Sequence, residues 1–401
     1  MDLRVIEIDG IAEAAAVMRA MSVHKGGIDV MAPKAFARVI KVSGIDSVAL
    51  NILKQDMLSL GGDCAVAWDA FIKRKKNAGG LIIGTVSQIE RLCEKLKRQP
   101  LGLPALANSI RELLAVYDKY DFILRAGRYR LNLGRRAHIM GIVNVTPDSF
   151  SDGGALSGAD DAVERALELE SQGADIIDVG GESTRPGAKA VGAKEECARV
   201  IPVIKALSKK IRVPVSIDTS KSEVAERALD CGASVINDIT GFRQDRRGAG
   251  LAKRYKAAVV LMHMKGNPRT MQKAPRYKDL IGEITGVLRK SVEIAKGAGI
   301  GDDRIVIDPG IGFGKTAGHN LEILRRLREF KSLGYPILVG PSRKSFIGKI
   351  TGADIADRVF GTAAASAVAV TNGANIVRVH DVREIRQALQ ITEAVKNAAN
   401  I

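Results

Sequence analysis

Side chains that could bind a polar ligand follow three apolar runs in the second part of the chain. SIDTS ends such a run at Asp218, and INDITG places Asn237 beside Asp238. VIDPGIGFGKT places Asp308 before a glycine-rich turn. Two carboxylates and an amide that converge could bind a metal ion, or could hold a planar heterocycle rich in N–H donors, because a carboxylate accepts two parallel hydrogen bonds. The residue types leave both interpretations open.

Basic and hydroxyl side chains in two other segments could bind an anion. The loop GGESTRPGA presents Ser183, Thr184 and Arg185 among glycines that let backbone N–H groups approach a phosphate, and Arg supplies a bidentate fork. The run IVRVHDV places Arg378 and His380 two residues apart, hence on one face of a strand. A buried basic pair is costly unless it meets an anion, so we expect an anionic ligand there. GIGFGKT lacks the spacing of a P-loop.

Several other polar residues admit structural roles. For His263, as the end of a strand, and for Asp238, as a residue that orients the neighbouring loop, this alternative stays open beside a place in the site. His319 is interpreted as entering a helix. His24 and His138 are also interpreted as structural. Four dispersed cysteines without a C-x-x-C pair argue against a zinc site and against a disulfide framework.

The chain of 401 residues carries a formal net charge of +16, which suggests anionic partners. Its dense basic run, residues 73–76, lacks interleaved aromatic residues, and aromatics are 4% of the chain. Nucleic acid is therefore not expected, and phosphorylated small molecules fit better. No apolar run reaches the length that crosses a bilayer, and the N-terminus lacks the apolar segment of a secretory signal, so we expect no membrane partner and a cytoplasmic protein.

The elements that must position these residues alternate between short β-branched runs and amphipathic stretches. This pattern is typical of repeated βα units around a parallel sheet. Polar groups at nearly every strand end predict a shared mouth, which favours a closed (β/α)₈ TIM barrel over an open doubly wound sheet. The predicted strands are His138–Val145, Asp175–Gly180, Val213–Asp218, Ser234–Ile239, Ala257–His263, Arg304–Asp308, Pro336–Gly340 and Ile376–His380. The helices predicted between them include Ala159–Gln172, Lys221–Cys231, Leu280–Ala298, His319–Leu333 and Ala356–Asn372.

Residues 1–121 predict a separate, smaller α/β domain ahead of a barrel domain at 122–401. Four strand-like runs, RVIEI, ARVIKV, CAVAW and GLIIGTV, alternate with helical stretches. The segment FILRAGRYRLNLG then predicts a hairpin that closes the barrel floor. The small domain shows no nucleotide-binding fingerprint, and a structural or oligomer-forming role is more plausible than a catalytic one.

Eight segments, taken together and in order, resemble dihydropteroate synthases. They are MGIVNVTPDSFSDGG, DVGGESTRPGA, SIDTSKSEVAERAL, INDITGF, HMKGNPRTMQ, DPGIGFGKT, GPSRKSFIG and IVRVHDV. The resemblance covers about residues 122–400. It implies a TIM-barrel transferase of folate biosynthesis that joins 6-hydroxymethyl-7,8-dihydropterin pyrophosphate to p-aminobenzoate and releases pyrophosphate. It leaves the first domain unassigned.

The resemblance also implies a set of site residues. Asp152, Arg185 and Lys344 would be catalytic, and Mg²⁺ would bridge Asn144 to the pyrophosphate. A pterin pocket would comprise Asp218, Asn237, Met264, Asp308, Phe313, Lys344 and Arg378. Pyrophosphate would contact Asn144, Ser183, Thr184, Arg185, Arg378 and His380. The p-aminobenzoate site would comprise Phe150, Thr184, Pro186 and Ser345, together with Lys344.

Two rival functions share parts of this pattern. Pterin-binding methyltransferases that serve corrinoid proteins share the barrel and the pterin carboxylates, but the ESTRP and SRKSF segments favour the synthase. A non-catalytic pterin-binding scaffold is disfavoured because no motif residue is lost. The family further implies a homodimer, although the sequence does not reveal its interface.

Overall fold

A computed structural model describes residues 1–68, 70, 75–119, 121–134, 136–146, 155–183, 191–267 and 270–398. Its internal contacts divide the chain into two compact units, Met1–Ala115 and Val116–Ile401. The boundary predicted from the sequence follows Asp121. Within the described residues, no helix is long and apolar enough to cross a bilayer.

The first unit is an antiparallel sheet with helices on one face. Strands β1 (Ala37–Ile45), β2 (Asp63–Val66) and β3 (Ala78–Thr85) lie in the order β1-β3-β2. Ile40 and Ile82 point into the core with Leu53 and Leu92 of the helices, because alternate residues of a strand face opposite sides. The helices are α1 (Ile11–Ala20), α2 (Lys25–Met31), α3 (Ser47–Leu58), α4 (Val86–Leu96) and α5 (Leu103–Tyr117).

One of the four strands predicted in this unit is wrong. RVIEI, residues 4–8, forms no strand, and Val5 is 96% exposed. The alternation of apolar and polar residues was present, but among the described residues no strand pairs with this segment. A strand is stable only when a neighbour completes its hydrogen bonds, so the pattern alone was not sufficient.

The second unit is an eight-stranded parallel barrel, as predicted. Its strands follow one another around the barrel in the order β11-β10-β9-β8-β7-β6-β13-β12. A parallel bridge between Ile307 and Ile337 closes the ring. The strands are β6 (His138–Asn144), β7 (Ile176–Gly180), β8 (Val215–Asp218), β9 (Val235–Asp238), β10 (Ala258–Met262), β11 (Ile305–Asp308), β12 (Leu338–Val339) and β13 (Ile376–Val379).

Helices surround the barrel and shield its outer face from water. They are α6 (Ala155–Ser171), α7 (Ala193–Lys210), α8 (Ser222–Asp230), α9 (Arg247–Arg254), α10 (Leu280–Gly297), α11 (Ala317–Arg325), α12 (Ser345–Thr351), α13 (Val359–Thr371) and α14 (Val382–Asn397). The helix predicted over His319–Leu333 is two elements, because α11 ends at Arg325 and a 3₁₀ helix follows at Leu327–Leu333.

The lower half of the barrel interior is apolar and is closed by a hairpin. Strands β4 (Ile123–Ala126) and β5 (Tyr129–Asn132) form the hairpin predicted from the sequence. Leu124 and its neighbours pack against inward-facing barrel residues such as Met140, Ile176 and Ile376. The hairpin therefore fills the floor and leaves the carboxyl ends of the strands as the open end.

Candidate active site

The inward-facing residues nearest the carboxyl ends of the strands form a connected polar layer. Arg378 lies at its centre, two residues after the apolar Ile376 on β13. Its Nε donates to Asp178 Oδ2 at 2.6 Å, and its Nη2 donates to Asp218 Oδ2 at 2.7 Å. Asn237 Nδ2 donates to the same oxygen of Asp178 at 3.0 Å. The guanidinium thus joins β13 to β7 and β8, and Asn237 joins β9 to the same carboxylate of Asp178.

This geometry changes one expectation from the sequence. Arg378 was expected to meet an anionic ligand, and its anionic partners are two carboxylates of the protein itself. Burial acts to lower the pKa of Arg378, but Asp178 and Asp218 outweigh it and raise that pKa. One cation balancing two carboxylates leaves this group with a net negative charge. Such a site suits a ligand that donates N–H groups.

Asp178 is a residue that the sequence reasoning missed. Its side chain is fully buried, and Oδ1 has no hydrogen-bond partner among the described residues. The signal was available, because Asp178 follows the inward-facing Ile176 by two residues and must face the same interior. However, a single acid within the apolar run IIDVG is compatible with an ordinary buried strand, so the run does not single out Asp178 as a site residue. A buried carboxylate oxygen without a donor is costly unless a ligand or water satisfies it.

Asp308 ends β11 in the same layer and begins a tightly folded turn. Its Oδ1 accepts a hydrogen bond from the Gly310 N–H at 2.6 Å. Gly310 has a φ of 72°, in the left-handed region, where glycine is strongly favoured. The turn brings Phe313 beneath Lys344, whose Nζ lies 4.2 Å from the ring centroid.

Burial shifts the ionisation of this layer toward neutrality. It raises the pKa of Asp218 to about 7 although Arg378 opposes the shift, and it raises that of Asp308 to about 6 although the Gly310 N–H opposes it. Burial and the charge of Arg378 lower the pKa of Lys344 to about 8. Carboxylates with pKa values near neutrality in a shared interior are a mark of functional sites.

Asn144 and His380 form the other side of the mouth. Asn144 Nδ2 lies 3.5 Å from His380 Nε2, and His380 Nδ1 lies 2.9 Å from Ser342 Oγ. Burial, followed by the charges of Arg378 and Arg343, lowers the pKa of His380 to about 3. The imidazole is therefore neutral at physiological pH and can donate from one nitrogen while it accepts at the other.

An apolar wall stands beside the carboxylates. Ile239, Met262, Met264, Met271 and Phe313 form one buried cluster at the ends of β9, β10 and β11. Met264 and Phe313 were both expected near a planar ligand. The wall offers a flat, water-poor surface of the kind on which a heterocycle can lie.

Two predicted strand-end groups do not point into the mouth. Asp238 follows the inward-facing Asn237 directly, so it faces the helices, where it accepts hydrogen bonds from the Thr240 and Phe242 N–H groups at 2.7 Å. His263 likewise follows the inward-facing Met262, and its Nδ1 contacts Lys315 Nζ at 2.9 Å. The expectation that these two strand-end groups would contribute to the shared mouth is therefore wrong, and for Asp238 the structure shows the alternative, orientation of the neighbouring loop.

The other structural histidines behave as expected. His319 forms a capping box with Thr316 at the start of α11, and His24 caps α2 by accepting from the Gly26 N–H. His138 is buried at the start of β6, with Nδ1 3.2 Å from the Arg136 carbonyl oxygen.

The remaining predicted site residues lie at the edge of the described region or beyond it. Ser183 is half-buried just past β7, and Ser345 is the exposed first residue of α12. The others fall outside the described residues: Phe150, Asp152, Thr184, Arg185 and Pro186.

Known proteins share this barrel and its sequence. A family model described as pterin binding enzyme matches residues 140–380, which is more than half of the chain. The dihydropteroate synthase of Synechocystis is 47% identical over 279 residues, which cover 69% of this chain and 96% of that protein. The chain belongs to the dihydropteroate synthase family. A solved dihydropteroate synthase of Xanthomonas albilineans, in complex with 7,8-dihydropteroate, is 40% identical with a TM-score of 0.62, covering 68% of this chain and 98% of that one.

One further relative in this family extends over both units. A probable bifunctional folylpolyglutamate synthase/dihydropteroate synthase of Halobacterium salinarum is 39% identical over 401 residues. The match covers 98% of this chain and 47% of that protein. A segment similar in sequence to the first unit therefore also occurs in the same chain as a synthase in another protein.

Proposed function

We propose that the barrel condenses 6-hydroxymethyl-7,8-dihydropterin pyrophosphate with p-aminobenzoate, giving 7,8-dihydropteroate and pyrophosphate in folate biosynthesis. The observation that carries the proposal is the polar layer around Arg378, with Asp218, Asn237 and Asp308 facing one interior. Relatives that match the barrel over nearly their whole length are named dihydropteroate synthases.

The pterin would lie against the carboxylates. The carboxylates of Asp218 and Asp308 can accept hydrogen bonds from the edge of the ring, and the amide of Asn237 can both accept and donate. Arg378 and Lys344 can bind the carbonyl side of the ring. Met264 and Phe313 would contact its faces. The ring edge also supplies donors to a layer that carries net negative charge, which explains why buried carboxylates are tolerated here.

The pyrophosphate would lie toward Asn144 and His380. His380 Nε2 can accept from Asn144 Nδ2 and so orient this amide, whose second N–H can donate to a phosphate oxygen, and Arg378 borders both regions. In the reaction the methylene C–O bond breaks, and its electron pair leaves with the pyrophosphate. The arylamine nitrogen forms the new C–N bond and then loses a proton. An arylamine is already a competent nucleophile, so no strong general base is needed.

Mg²⁺ fits this side of the mouth. Among the described residues, no group of three His, Cys, Asp or Glu side chains could hold a metal ion. Mg²⁺ at substrate phosphates commonly uses few protein ligands and keeps several waters, so the half-buried amide oxygen of Asn144 can serve as its one protein ligand. When bound, the ion would neutralise charge on the leaving pyrophosphate.

The loops after β6 and β7 would complete the site. We propose that Asp152 and Arg185, with Lys344, are catalytic, and that Ser183, Thr184 and Arg185 contact the pyrophosphate. Phe150, Thr184 and Pro186 would bind p-aminobenzoate together with Lys344 and Ser345. These roles follow from the family's motifs, and Ser345 at the open end of the barrel is suitably exposed.

The outer face of α13 and α14 supports a homodimer. The two helices pack together, and Phe360, Ile391 and Val395 are 84%, 69% and 71% exposed. Large apolar side chains that are exposed on neighbouring helices are typical of association surfaces. Phe360→Asp should convert a dimer to a monomer in sedimentation-velocity experiments, and a wild type that sediments as a monomer would contradict this assembly.

The first unit, predicted as the domain 1–121, is proposed to be accessory. The Synechocystis synthase matches 69% of this chain yet is covered over 96% of its own length, so a synthase of that family does not need the unit. A chain of residues 116–401 should keep turnover within a few-fold of the full chain. A folded but inactive truncation would show the unit to be required.

Pyrophosphate release tests the function directly. The full chain, the pterin pyrophosphate, p-aminobenzoate and Mg²⁺ should yield pyrophosphate and dihydropteroate in equal amounts. Omission of p-aminobenzoate should stop the release. No product at any enzyme concentration would overturn the proposal.

A further inference from the structure

Lys315 is a buried cation that the proposed reaction does not use. It is 3% exposed and, within the described ranges, forms no ion pair with a carboxylate. Its Nζ instead contacts His263 Nδ1 at 2.9 Å, the Phe313 carbonyl oxygen at 3.0 Å and the His263 carbonyl oxygen at 3.5 Å. An ammonium has three donors, and these three acceptors surround it.

The contacts of Lys315 join two loops that pack unusually closely. A side-chain carbon on Gly310 would lie 2.0 Å from the His263 carbonyl oxygen, and one on Gly314 would lie 2.6 Å from that of Lys265. Glycine is therefore required at both positions for the loops after β10 and β11 to touch. These loops carry Met264 and Phe313, which form the apolar wall of the site.

The charged groups around Lys315 couple it to the pterin carboxylate. Burial, followed by the positive charge of Lys344, lowers the pKa of Lys315 to about 7, and Asp308 opposes the shift. Burial raises the pKa of Asp308 to about 6, and the Gly310 N–H, Lys315, Lys344 and Arg378 oppose that shift. In the pH range where Asp308 titrates, Lys315 therefore still carries most of its charge.

His263 contributes hydrogen bonding rather than charge. Burial, followed by the charges of Lys315, Arg243 and Lys265, lowers its pKa to about 2. The ring is neutral, so Nδ1 can accept from the Lys315 ammonium. The nearby Tyr277 ring lies 6.2 Å from the His263 ring, and burial raises the pKa of Tyr277, so it adds no charge.

We propose that Lys315 is a positioning residue: it fastens the two loops that carry Met264 and Phe313, and its ammonium favours the carboxylate form of Asp308, to which the pterin binds. The inference rests on the proposed function, because it assigns Asp308 to the pterin. Lys315 acts through Asp308 and the loops and does not itself contact the substrate.

Lys315→Met in the full chain tests the electrostatic part. It removes the charge and keeps an apolar side chain of similar length. The affinity for 6-hydroxymethyl-7,8-dihydropterin, together with kcat and KM for its pyrophosphate, is measured from about pH 5 to about pH 9. Without Lys315, Asp308 should protonate at higher pH, so the acid limb of pterin affinity should move up by about one pH unit. The loss of affinity should be roughly fivefold near pH 6, approach tenfold near pH 5 and be much smaller near pH 8.

Lys265→Met is the matched control. Lys265 lies in the same region, but its side chain is 40% exposed, and its Nζ pairs with Glu283 at 3.2 Å and lies over the Tyr277 ring. Its removal should leave the acid limb in place. A merely structural role for Lys315 would weaken binding by the same factor at every pH. An unshifted acid limb in Lys315→Met would overturn the proposal whatever the size of a uniform loss.

A measurement on wild type covers the case in which Lys315→Met does not fold. In protein with ¹³C-labelled lysine side chains, the Lys315 signal should titrate near neutrality, and Lys344→Met identifies the other low-titrating lysine. Because Asp308 raises the pKa of Lys315, Asp308→Asn should move the Lys315 titration to lower pH. An unmoved titration would show that the two groups are not coupled.

A failure of the proposed function can be distinguished from a failure of the role proposed for Lys315. A wild type that neither binds the pterin nor turns over would overturn the proposed function, while the lysine titration would still decide whether Lys315 and Asp308 are coupled. A wild type that is active, beside a Lys315→Met variant with an unshifted acid limb, would overturn the role of Lys315 alone.

Discussion

The two halves of the barrel interior differ in chemistry although the same strands build both. On β13 the lower inward residue is Ile376 and the upper is Arg378, and on β7 the lower is Ile176 and the upper is Asp178. A step of two residues along each strand passes from an apolar layer sealed by the hairpin to a polar layer joined by one guanidinium. We infer from this difference that the apolar lower layer contributes free energy of folding, which offsets the cost of burying charged groups at the open end.

The largest expected effect follows from removing the cation of the upper layer. Arg378→Met removes the guanidinium that pairs with the buried carboxylates of Asp178 and Asp218, and breaking a buried ion pair costs about 3–5 kcal/mol. Arg378 is 20% exposed, so a value toward the lower end is expected. Turnover should also be lost, because the variant lacks a contact to both substrate groups. Urea unfolding and pyrophosphate release measure the two effects.

Arg386→Met is the control from outside the upper layer. Arg386 pairs with Asp175, next to the start of β7, at 2.6 Å. Its removal should reduce the free energy of unfolding while kcat and KM stay near those of wild type. Equal losses of turnover in Arg378→Met and Arg386→Met would contradict a functional difference between the two ends of the barrel.

The next effect concerns the lower layer. Ile176→Ala should reduce the free energy of unfolding by about 2–5 kcal/mol, because Ile176 is fully buried and its truncation leaves a cavity. At a temperature where the variant is folded, kcat and KM for both substrates should be unchanged. Denaturant titration with parallel kinetics checks this, and a selective rise in pterin KM would show that the layers are not independent.

The smallest of the three effects depends on pH. The pKa of Asp308 is about 6 in the folded protein against an ordinary 3.8, so the folded state binds its proton more tightly than the unfolded state. The resulting stability is present below about pH 4 and is lost as the pH rises toward about 6. Asp308→Asn cannot ionise, so without ligand it should match wild type near pH 4. Above about pH 6 it should be more stable by up to about 3 kcal/mol.

Unfolding of both proteins as a function of pH checks the Asp308 prediction. Asp303→Asn serves as the control because Asp303 is exposed before β11. A difference between Asp308→Asn and wild type that does not vary with pH would contradict the stated ionisation of Asp308.

The barrel could be predicted from the sequence because the alternation of short β-branched runs and amphipathic stretches can be recognised within short segments of the chain. Asn144, Asp218, Asn237 and Asp308 could be located in the same way, since each lies within the last two residues of a recognisable strand. Asp238 and His263 could not be separated from them by position alone. Their direction depends on which alternate residues face inward, and an apolar parallel strand is buried on both faces and so hides that parity.

Other features depend on partners distant in sequence. The ion pair between Arg378 and Asp178 spans 200 residues, and the contact between Lys315 and His263 spans 52. RVIEI had the pattern of a strand but lacked a neighbouring strand in the described structure. Local patterns therefore predicted the elements well, whereas the choice of partners required the closed barrel.

A crystal structure of the full chain with the pterin pyrophosphate bound would show whether the polar layer at the open end of the barrel is the substrate site. We expect the ring edge within hydrogen-bond distance of Asp218, Asn237 and Asp308, with the pyrophosphate beside Asn144 and His380. A ligand bound at another surface, with these carboxylates still buried and uncontacted, would contradict it.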